Sequence, residues 1–240
     1  MELIILGSGT GVPSLTRGSP AYLIKEAGQD ILFDSGSGTL VKMLQVGVTY
    51  KDLDAVLYSH THPDHTADLV PLIFASKYKE EPREKDLIII GGRGFRDYFE
   101  GLKWVYGSWI EPETFRIHIR EVVAEDIELG VLRITTLPME HIPESVGYRL
   151  ESPLGRTVVY AGDTDYCRNI VELARGADIL ILEASFPEGR KVKGHLTPSL
   201  AGRIAQEAGC KKLILTHFYP PCEQSDMRAD CQRIYRGEIL

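Results

Sequence analysis

The sequence predicts an α/β fold in which two groups of β-strands form a sandwich with helices on its outer faces. The 240-residue chain is 43% hydrophobic and 25% charged, which is ordinary for a globular protein with a substantial core. Short β-branched and aliphatic runs, bounded by Gly, Pro and Asp, recur along it as strands do. Helical stretches fall between some of these runs, and this alternation favours packed layers. No linker is evident, so we predict one domain over residues 1–240.

Eleven segments are predicted as strands because they combine β-branched or aliphatic side chains with turn residues at their ends. They are ELIIL (2–6), AYLIK (21–25), DILFD (30–34), DAVLYS (54–59), DLIII (86–90), RIHI (116–119), VLRITTL (131–137), VGYRL (146–150), TVVYAG (157–162), DILILEA (178–184) and KLILTH (212–217). The closing GEIL is typical of the beginning of another strand.

Six segments are predicted as helices from apolar residues at helical spacing. The clearest, residues 197–210, opens with a Thr cap followed by Pro and stops at Gly209. In the segment 66–78, Pro71 is tolerable only in the first turn. The predicted helices are 38–47, 66–78, 95–107, 167–177, 197–210 and 225–235.

Composition excludes several function classes. A formal net charge of −7 argues against broad nucleic-acid binding, which depends on clustered Lys and Arg. No run of about 18 apolar residues is present, so no membrane span is expected. The N-terminus has no basic leader and is predicted to be a first strand. The four cysteines form no C-x-x-C pair, so we expect reduced thiols in a cytoplasmic protein.

One short segment concentrates metal-ligating side chains. YSHTHPDHTADL, residues 58–69, contains His60, His62, Asp64 and His65 directly after a predicted strand. In an extended chain His60 and His62 point the same way and can share one ion. The turn into the following helix directs Asp64 and His65 toward a second ion.

Further candidates also lie just beyond predicted strands. They are His141, Asp163 and His217, and His195 opens the segment before a helix. Loops at one end of packed strands converge and build sites there. The sequence therefore predicts about two divalent metal ions, and imidazole with carboxylate but no thiolate favours zinc, with manganese or iron as alternatives.

These motifs resemble a known family. SHTHPDH is similar to the signature of the metallo-β-lactamase fold, a four-layer αββα sandwich with a binuclear metal site. LGSGTGVPS (6–14), ILFDSGSGT (31–39), LPMEHIPESVGYRLE (137–151), VVYAGDT (158–164), LILEASF (180–186), GHLTP (194–198) and LILTHF (213–218) resemble its ribonuclease Z branch. The resemblance runs from residue 3 to about residue 220.

The resemblance implies a ligand for each position of the metal site. His60, His62 and His141 would hold one metal, Asp64, His65 and His217 would hold the other, and Asp163 would bridge them. Oxygen- or nitric-oxide-reducing iron members carry a glutamate where this chain has His62, so His62 favours hydrolysis with zinc or manganese.

The expected catalytic residues are Asp64, His195 and Glu183. The resemblance makes His195 a proton-transfer residue that is not a ligand, and Glu183 could orient it. A leaving alkoxide needs a proton, and an imidazole titrates near neutral pH.

One departure from the branch concerns the substrate. The tRNA-processing enzymes carry a protruding arm between the GYR strand and the GDT strand. Here GYRLESPLGRTVVYAGDT joins the two strands with almost nothing between them, which predicts a tight hairpin at SPLG. The chain therefore lacks the main tRNA-gripping element, and a smaller phosphodiester is expected.

The sequence thus predicts a binuclear metal-dependent phosphodiesterase that acts on a small or nucleotide phosphodiester through a metal-bridging hydroxide. The alternatives are a tRNA 3′-processing endoribonuclease, a carboxylic ester, lactone or thioester hydrolase, and a non-catalytic metal-bearing carrier protein. The family resemblance suggests a homodimer.

Two loops allow a structural or a functional interpretation. GSGTG (7–11) is either a tight glycine turn or a substrate contact. GRKVKG (189–194) is either a solvated loop or an electrostatic hold on a phosphate or nucleotide tail.

Overall fold

The computed structural model describes all residues from Met1 to Leu240. The chain divides into two compact units, Met1–Val122 and Val123–Leu240, and each contains one mixed β-sheet. The assignment of residues 1–240 to a single domain remains a prediction. None of the helices has the length and apolar character needed to span a bilayer.

The first unit is built on a six-stranded sheet, in the order β1-β2-β3-β4-β5-β6. The first three strands pair antiparallel, whereas β3 to β6 run parallel. The elements are β1 (Glu2–Gly7), β2 (Ala21–Glu26), β3 (Gln29–Phe33), α1 (Thr39–Gln45), β4 (Ala55–Leu57), α2 (Pro63–Thr66), α3 (Leu69–Ala75), β5 (Leu87–Gly91), α4 (Phe95–Tyr106), a 3₁₀ turn (Gly107–Ile110) and β6 (Ile117–Glu121).

Helices cover one face of this sheet. Leu32, Val56 and Ile89 from three neighbouring strands pack against α1, α3 and α4 in one buried cluster. The alternate residues of the same strands are also buried, as the fully buried Ile31 and Leu57 show. Strands buried on both faces read as continuous hydrophobic runs, which is why they were recognisable in the sequence.

The second unit is built on a seven-stranded sheet, in the order β13-β12-β11-β10-β9-β8-β7. Strands β10 to β13 run parallel, and the others pair antiparallel. The elements are β7 (Asp126–Leu129), β8 (Leu132–Pro138), β9 (Val146–Glu151), β10 (Thr157–Tyr160), α5 (Arg168–Leu173), β11 (Ile179–Glu183), α6 (Pro198–Ala208), β12 (Lys212–Thr216), a 3₁₀ turn (Pro220–Gln224), α7 (Met227–Gln232) and β13 (Glu238–Ile239).

Helices α5, α6 and α7 bury their apolar sides on this second sheet. Leu180, Leu182 and Leu213 from β11 and β12 lie in one cluster with Ile170 of α5 and Ile204 of α6. Helix α6 begins after Thr197 with Pro198 at its first position and ends at Gly209, whose φ of 63° is left-handed. These boundaries agree with the Pro and Gly signals in the sequence.

The hairpin between β9 and β10 matches its prediction. Ser152 N donates to Arg156 O at 2.9 Å and Gly155 N donates to Ser152 O at 2.9 Å, so five residues reverse the chain. Glu151 and Thr157 are paired across the two strands. The β9–β10 connection therefore has no inserted residues that could form a protruding arm.

Two elements differ from the sequence prediction. The helix predicted over 66–78 is shorter in the structure, where α3 spans Leu69–Ala75 with Pro71 in its first turn, and a separate short helix, α2, precedes it at Pro63–Thr66. Strand β7 escaped prediction because Asp126 and Glu128 alternate with only two apolar residues on this edge strand.

Arg83 is a buried anchor of the first unit. Its guanidinium donates to the carbonyl oxygens of Tyr50 at 2.6 Å, Leu53 at 2.5 Å and Asp86 at 2.8 Å, and it lies over the Phe115 ring. Burial lowers the pKa of Arg83 to about 10, which still leaves it charged at neutral pH. The side chain therefore ties three loop carbonyls together where water has no access.

We expect Arg83→Met to lower the free energy of unfolding by about 2–4 kcal/mol, because three carbonyl groups lose a charged donor. Urea denaturation followed by circular dichroism measures this. The exposed Arg156→Met is the matched control and should change stability by less than about 0.5 kcal/mol. Equal stability of the two variants would contradict the anchoring role.

Candidate metal centre

The HTHPDH segment follows β4 at the edge where the parallel strands of the first sheet end. His60 and His65 are buried, while His62 and Asp64 are partly exposed. The His60 ring centroid lies 4.6 Å from that of His62 and 4.1 Å from that of His65. Asp64 Oδ2 lies 3.9 Å from His65 Nε2. All four predicted residues of this segment are therefore brought together.

A buried aspartate at the end of the neighbouring parallel strand organises this cluster. Asp34, which follows β3, is fully buried, and its Oδ1 accepts from Ser59 N at 2.8 Å. Its Oδ2 accepts from Ser59 Oγ at 2.8 Å and from His65 Nδ1 at 2.7 Å. Since the Ser59 hydroxyl donates to Asp34, its oxygen is left to accept from His60 Nδ1 at 3.0 Å.

These contacts fix the tautomers of two histidines. His60 and His65 each hold a proton on Nδ1 by hydrogen bonding, so Nε2 carries the lone pair on the opposite side of the ring. A ligating histidine normally donates its other N–H to a carboxylate or similar group in this way. Asp64 is held separately, by Gly11 N, which donates to its Oδ2 at 3.0 Å.

The second unit carries its own cluster at the edge where β8, β10, β11 and β12 end. Asp163, which follows β10, is 3% exposed, and its two oxygens face different histidines. Oδ1 lies 3.3 Å from His217 Nε2, and Oδ2 lies 3.8 Å from His141 Nε2. A carboxylate with one oxygen toward each of two ligands has the geometry that a bridging role requires.

Glu183, at the end of β11, holds the second cluster as Asp34 holds the first. Ser185 Oγ donates to Glu183 Oε2 in a short hydrogen bond, and it accepts from His217 Nδ1 at 2.8 Å. Backbone N–H groups of Thr164 and Leu196 also donate to this carboxylate, at 2.8 and 3.1 Å. His217 is thereby oriented with Nε2 toward Asp163.

His195 shares the same glutamate. Its Nδ1 lies 3.0 Å from Glu183 Oε1 and 3.3 Å from Oε2, whereas its distance to Asp163 Oδ2 is 3.9 Å. Asp163, His195 and His217 form a group that could hold a metal, but the His195 nitrogen that lies 3.9 Å from Asp163 is Nδ1, and Glu183 already engages that atom. This contact is the one predicted between the two residues.

His141 completes the set through a backbone contact. Its Nδ1 donates to Gly194 O at 2.9 Å, so its Nε2 faces Asp163. Gly194 has a φ of 84°, and a Cβ there would lie 3.0 Å from His141 Nδ1. Glycine is therefore needed both for the backbone conformation and for the approach of the imidazole.

Two site residues adopt a backbone conformation that is unusual outside glycine. Asp34 has a φ of 53° and His217 a φ of 58°; the third such residue, Ala27, lies in the β2–β3 turn. Such conformations cost on the order of 1–3 kcal/mol and persist where the surroundings impose them. In both cases the strained residue ends a parallel strand and turns its side chain into a buried hydrogen-bond network.

The donor set fits divalent metal ions. Besides His195, four imidazoles have Nδ1 engaged by oxygen atoms, which leaves four Nε2 lone pairs, and carboxylate oxygens lie beside them in each unit. Nitrogen and oxygen ligands with ordered hydrogen-bond partners behind them suit zinc and related ions.

Asp34, Ser59 and Ser185 are functional residues that the sequence reasoning missed. Each supports a histidine without being a ligand type that stands out in a sequence. The only signal for Asp34 was a carboxylate that directly ends an apolar strand in ILFDSG. The two serines immediately precede or closely follow site residues, and no spacing rule singles them out.

A family model described as a beta-lactamase superfamily domain matches residues 29–218 of this chain. The chain belongs to this superfamily. The predicted metallo-β-lactamase fold, with two mixed sheets and helices, is therefore confirmed.

Relatives of the superfamily align along the whole chain. Ribonuclease Z of Archaeoglobus fulgidus is 29% identical, over all of this chain and 94% of the relative. The probable metallo-hydrolase YhfI of Bacillus subtilis is 29% identical, over all of this chain and 96% of the relative. The crystal structure of YhfI superposes with a TM-score of 0.85 and 28% identity, over 99% of this chain and 94% of that one.

A diphosphatase of the PhnP family has the same fold, with a TM-score of 0.76 and 23% identity over 99% of this chain and 94% of its own. The predicted resemblance to the ribonuclease Z branch is confirmed by these relatives. The prediction of a metal-dependent hydrolase is confirmed as well, since relatives named ribonuclease Z and metallo-hydrolase share the full length and the histidine and aspartate clusters are present.

We expect Asp34→Asn to weaken zinc binding by about 10–100-fold. The amide has only one oxygen to accept hydrogen bonds. If that oxygen accepts from the Ser59 hydroxyl and His65 Nδ1, the NH₂ group is left facing Ser59 N, which is also a donor. Competition with a chromophoric chelator measures the zinc dissociation constant. Thermal unfolding of the metal-free proteins separates an effect on folding. The exposed Asp97→Asn is the matched control, and an Asp34→Asn protein that binds zinc as tightly as this control would refute the supporting role.

Proposed function

We propose that this protein is a binuclear metal-dependent phosphodiesterase that hydrolyses a small or nucleotide phosphodiester. The observation that carries the proposal is that the second cluster holds, beside its metal-type residues, a further imidazole, His195, in contact with Glu183. Each cluster has buried imidazoles whose Nδ1 atoms are engaged, and the second also holds His195 against Glu183. Metal ligands alone would suit many hydrolases, whereas a separate imidazole suits a reaction whose leaving group must be protonated.

The proposed metal ligands are those that the family resemblance implies. The first metal would be held by His60, His62 and His141, the second by Asp64, His65 and His217, and Asp163 would bridge them. The two oxygens of Asp163, each directed to a different histidine, support its part in this assignment.

Zinc is the proposed metal, and manganese is the alternative. Imidazole and carboxylate donors without thiolate suit both ions, and His62 is the residue that favours them over iron. When bound, two such cations lower the pKa of a shared water and neutralise charge on the phosphoryl oxygens.

His195 is proposed to protonate the leaving alkoxide. Glu183 accepts from its Nδ1, so the transferable proton is the one on Nε2. The glutamate also stabilises the imidazolium before transfer and fixes the ring orientation. Asp64 is held by Gly11 N and would serve as a ligand that remains in place while the substrate turns over.

The names of the relatives favour tRNA 3′ processing as a second candidate. The alignment with the ribonuclease Z of A. fulgidus runs over 295 positions, whereas that with YhfI runs over 246, against 240 residues here. The direct β9–β10 hairpin carries no inserted arm, and a net charge of −7 does not favour a large polyanion such as a folded RNA. These features favour the small substrate.

Hydrolysis of a carboxylic ester, lactone or thioester is a weaker alternative, because such leaving groups have less need of the donor that His195 and Glu183 supply. A non-catalytic carrier would not require this pair at all.

We further propose a cytoplasmic location and, from the family resemblance, a homodimer.

His195→Ala should lower kcat for bis-p-nitrophenyl phosphate by a smaller factor than kcat for an alkyl phosphodiester, for which we expect a loss of about 10²–10⁴. p-Nitrophenolate is a good leaving group and needs a donor less. Metal content by elemental analysis should stay unchanged. His118, which is exposed and pairs with Asp86, supplies the control His118→Ala. Loss of metal from the His195 variant would show that it is a ligand instead.

A substrate panel separates the candidate functions. We expect the zinc- or manganese-loaded protein to turn over phosphodiesters and to leave a precursor tRNA and a lactone essentially untouched under the same conditions. Efficient removal of the tRNA 3′ trailer would favour the ribonuclease, and turnover of the lactone alone would favour the esterase.

A further inference from the structure

Two aromatic rings of the second unit lie beside the proton-transfer pair. Phe186 and Tyr219 are stacked, with ring centroids 4.8 Å apart and planes 13° from parallel. Both rings also meet His195, at centroid distances of 5.8 Å for Phe186 and 6.3 Å for Tyr219. The rings therefore form a small aromatic surface next to the imidazole that would protonate the leaving group.

The backbone fixes this pair to the same strand ends that build the site. Tyr219 N donates to Ser185 O at 3.3 Å, which joins the segments that follow β11 and β12. Phe186 N donates to Leu196 O at 3.4 Å, next to His195. The two rings are thus positioned by the elements that position His217 and Glu183, and they are not carried on a separate loop.

The Phe186–Tyr219 pair is only partly buried, although it follows two strands that are buried except at their first residues. A side chain needed only for packing would be expected on the covered side of the sheet, as the leucines of β11 and β12 are. Aromatic rings that retain exposed surface beside a reacting centre are suited to stack on a planar group of a ligand.

Positively charged side chains lie in the loop that leads from Phe186 to His195. The connecting loop between Phe186 and His195 carries Arg190, Lys191 and Lys193, all exposed in the sequence GRKVKG. Lys191 is tied to Asp165 at 2.7 Å, while Arg190 and Lys193 project from the loop without an ion pair of this kind. A cationic loop next to an aromatic surface matches a ligand that is both planar and anionic.

We propose that the Phe186–Tyr219 pair is a base-stacking subsite and that the substrate is therefore a nucleotide phosphodiester, with the nucleoside on the leaving-group side. This inference rests on the proposed function for the position of the phosphodiester. The nucleobase stacks on the exposed aromatic surface, and further phosphate groups lie toward Arg190 and Lys193.

Equilibrium binding tests the subsite without turnover. The probes are adenosine 5′-monophosphate and ribose 5-phosphate, which share the sugar and the phosphate and differ in the base. Isothermal titration calorimetry on the zinc-loaded protein should give tighter binding of the nucleotide by about 5–150-fold, since one stacked base is worth about 1–3 kcal/mol. Phe186→Leu and Tyr219→Leu should reduce this ratio toward one.

Matched controls are Phe74→Leu and Tyr78→Leu, which replace exposed aromatic residues of the first unit and should keep the wild-type ratio. Equal affinity of the wild-type protein for the two probes would overturn the proposal, whatever the variants do. Parallel weakening of both probes in the leucine variants would also overturn it, because it would assign the rings to packing of the site. Phe186→Tyr keeps the π-face and should retain the ratio.

Turnover of bis-p-nitrophenyl phosphate by the same wild-type preparation tests the proposed function separately. Its absence would refute the phosphodiesterase, whereas the preference between the two probes decides the base-stacking subsite.

Discussion

The site depends on one repeated arrangement, in which a buried carboxylate at the end of a parallel strand holds histidines through Nδ1. Asp34 does this directly for His65 and through Ser59 for His60. Glu183 does it through Ser185 for His217 and directly for His195. A histidine side chain can otherwise rotate and change tautomer, so without these contacts its Nε2 would have no defined direction. Hydrogen bonds that hold an imidazole in the direction needed for binding reduce the cost of binding an ion.

The sheet topology explains why the carboxylates can reach these positions. Neighbouring parallel strands end at the same edge, so side chains far apart in sequence lie close together there. In the first unit the residues after β3 and β4 meet, and in the second those after β10, β11 and β12 meet. The left-handed conformations of Asp34 and His217 follow from the same constraint, because the chain must leave its strand while the side chain stays in the network.

Much of this was predictable from the sequence because it depends on local patterns. Strands buried on both faces appear as apolar runs, and the histidine cluster after β4 lies within six consecutive residues. The hairpin between β9 and β10 was visible as a missing insertion. The residues that escaped prediction act through contacts between segments that are distant in sequence. No sequence pattern marks the two serines, and the role of Asp34 is visible only from its hydrogen bonds to Ser59 and His65. Edge strand β7 was missed because its exposed face is polar.

Anomalous diffraction at the zinc edge from crystals of the zinc-loaded protein would locate the ions and show which histidine nitrogens bind them. We expect two peaks per chain, each coordinated through histidine Nε2 atoms, with Asp163 bound to both ions and the Nδ1 contacts of Asp34, Ser59 and Ser185 retained. A single peak, or ions bound through Nδ1 with those contacts broken, would contradict it.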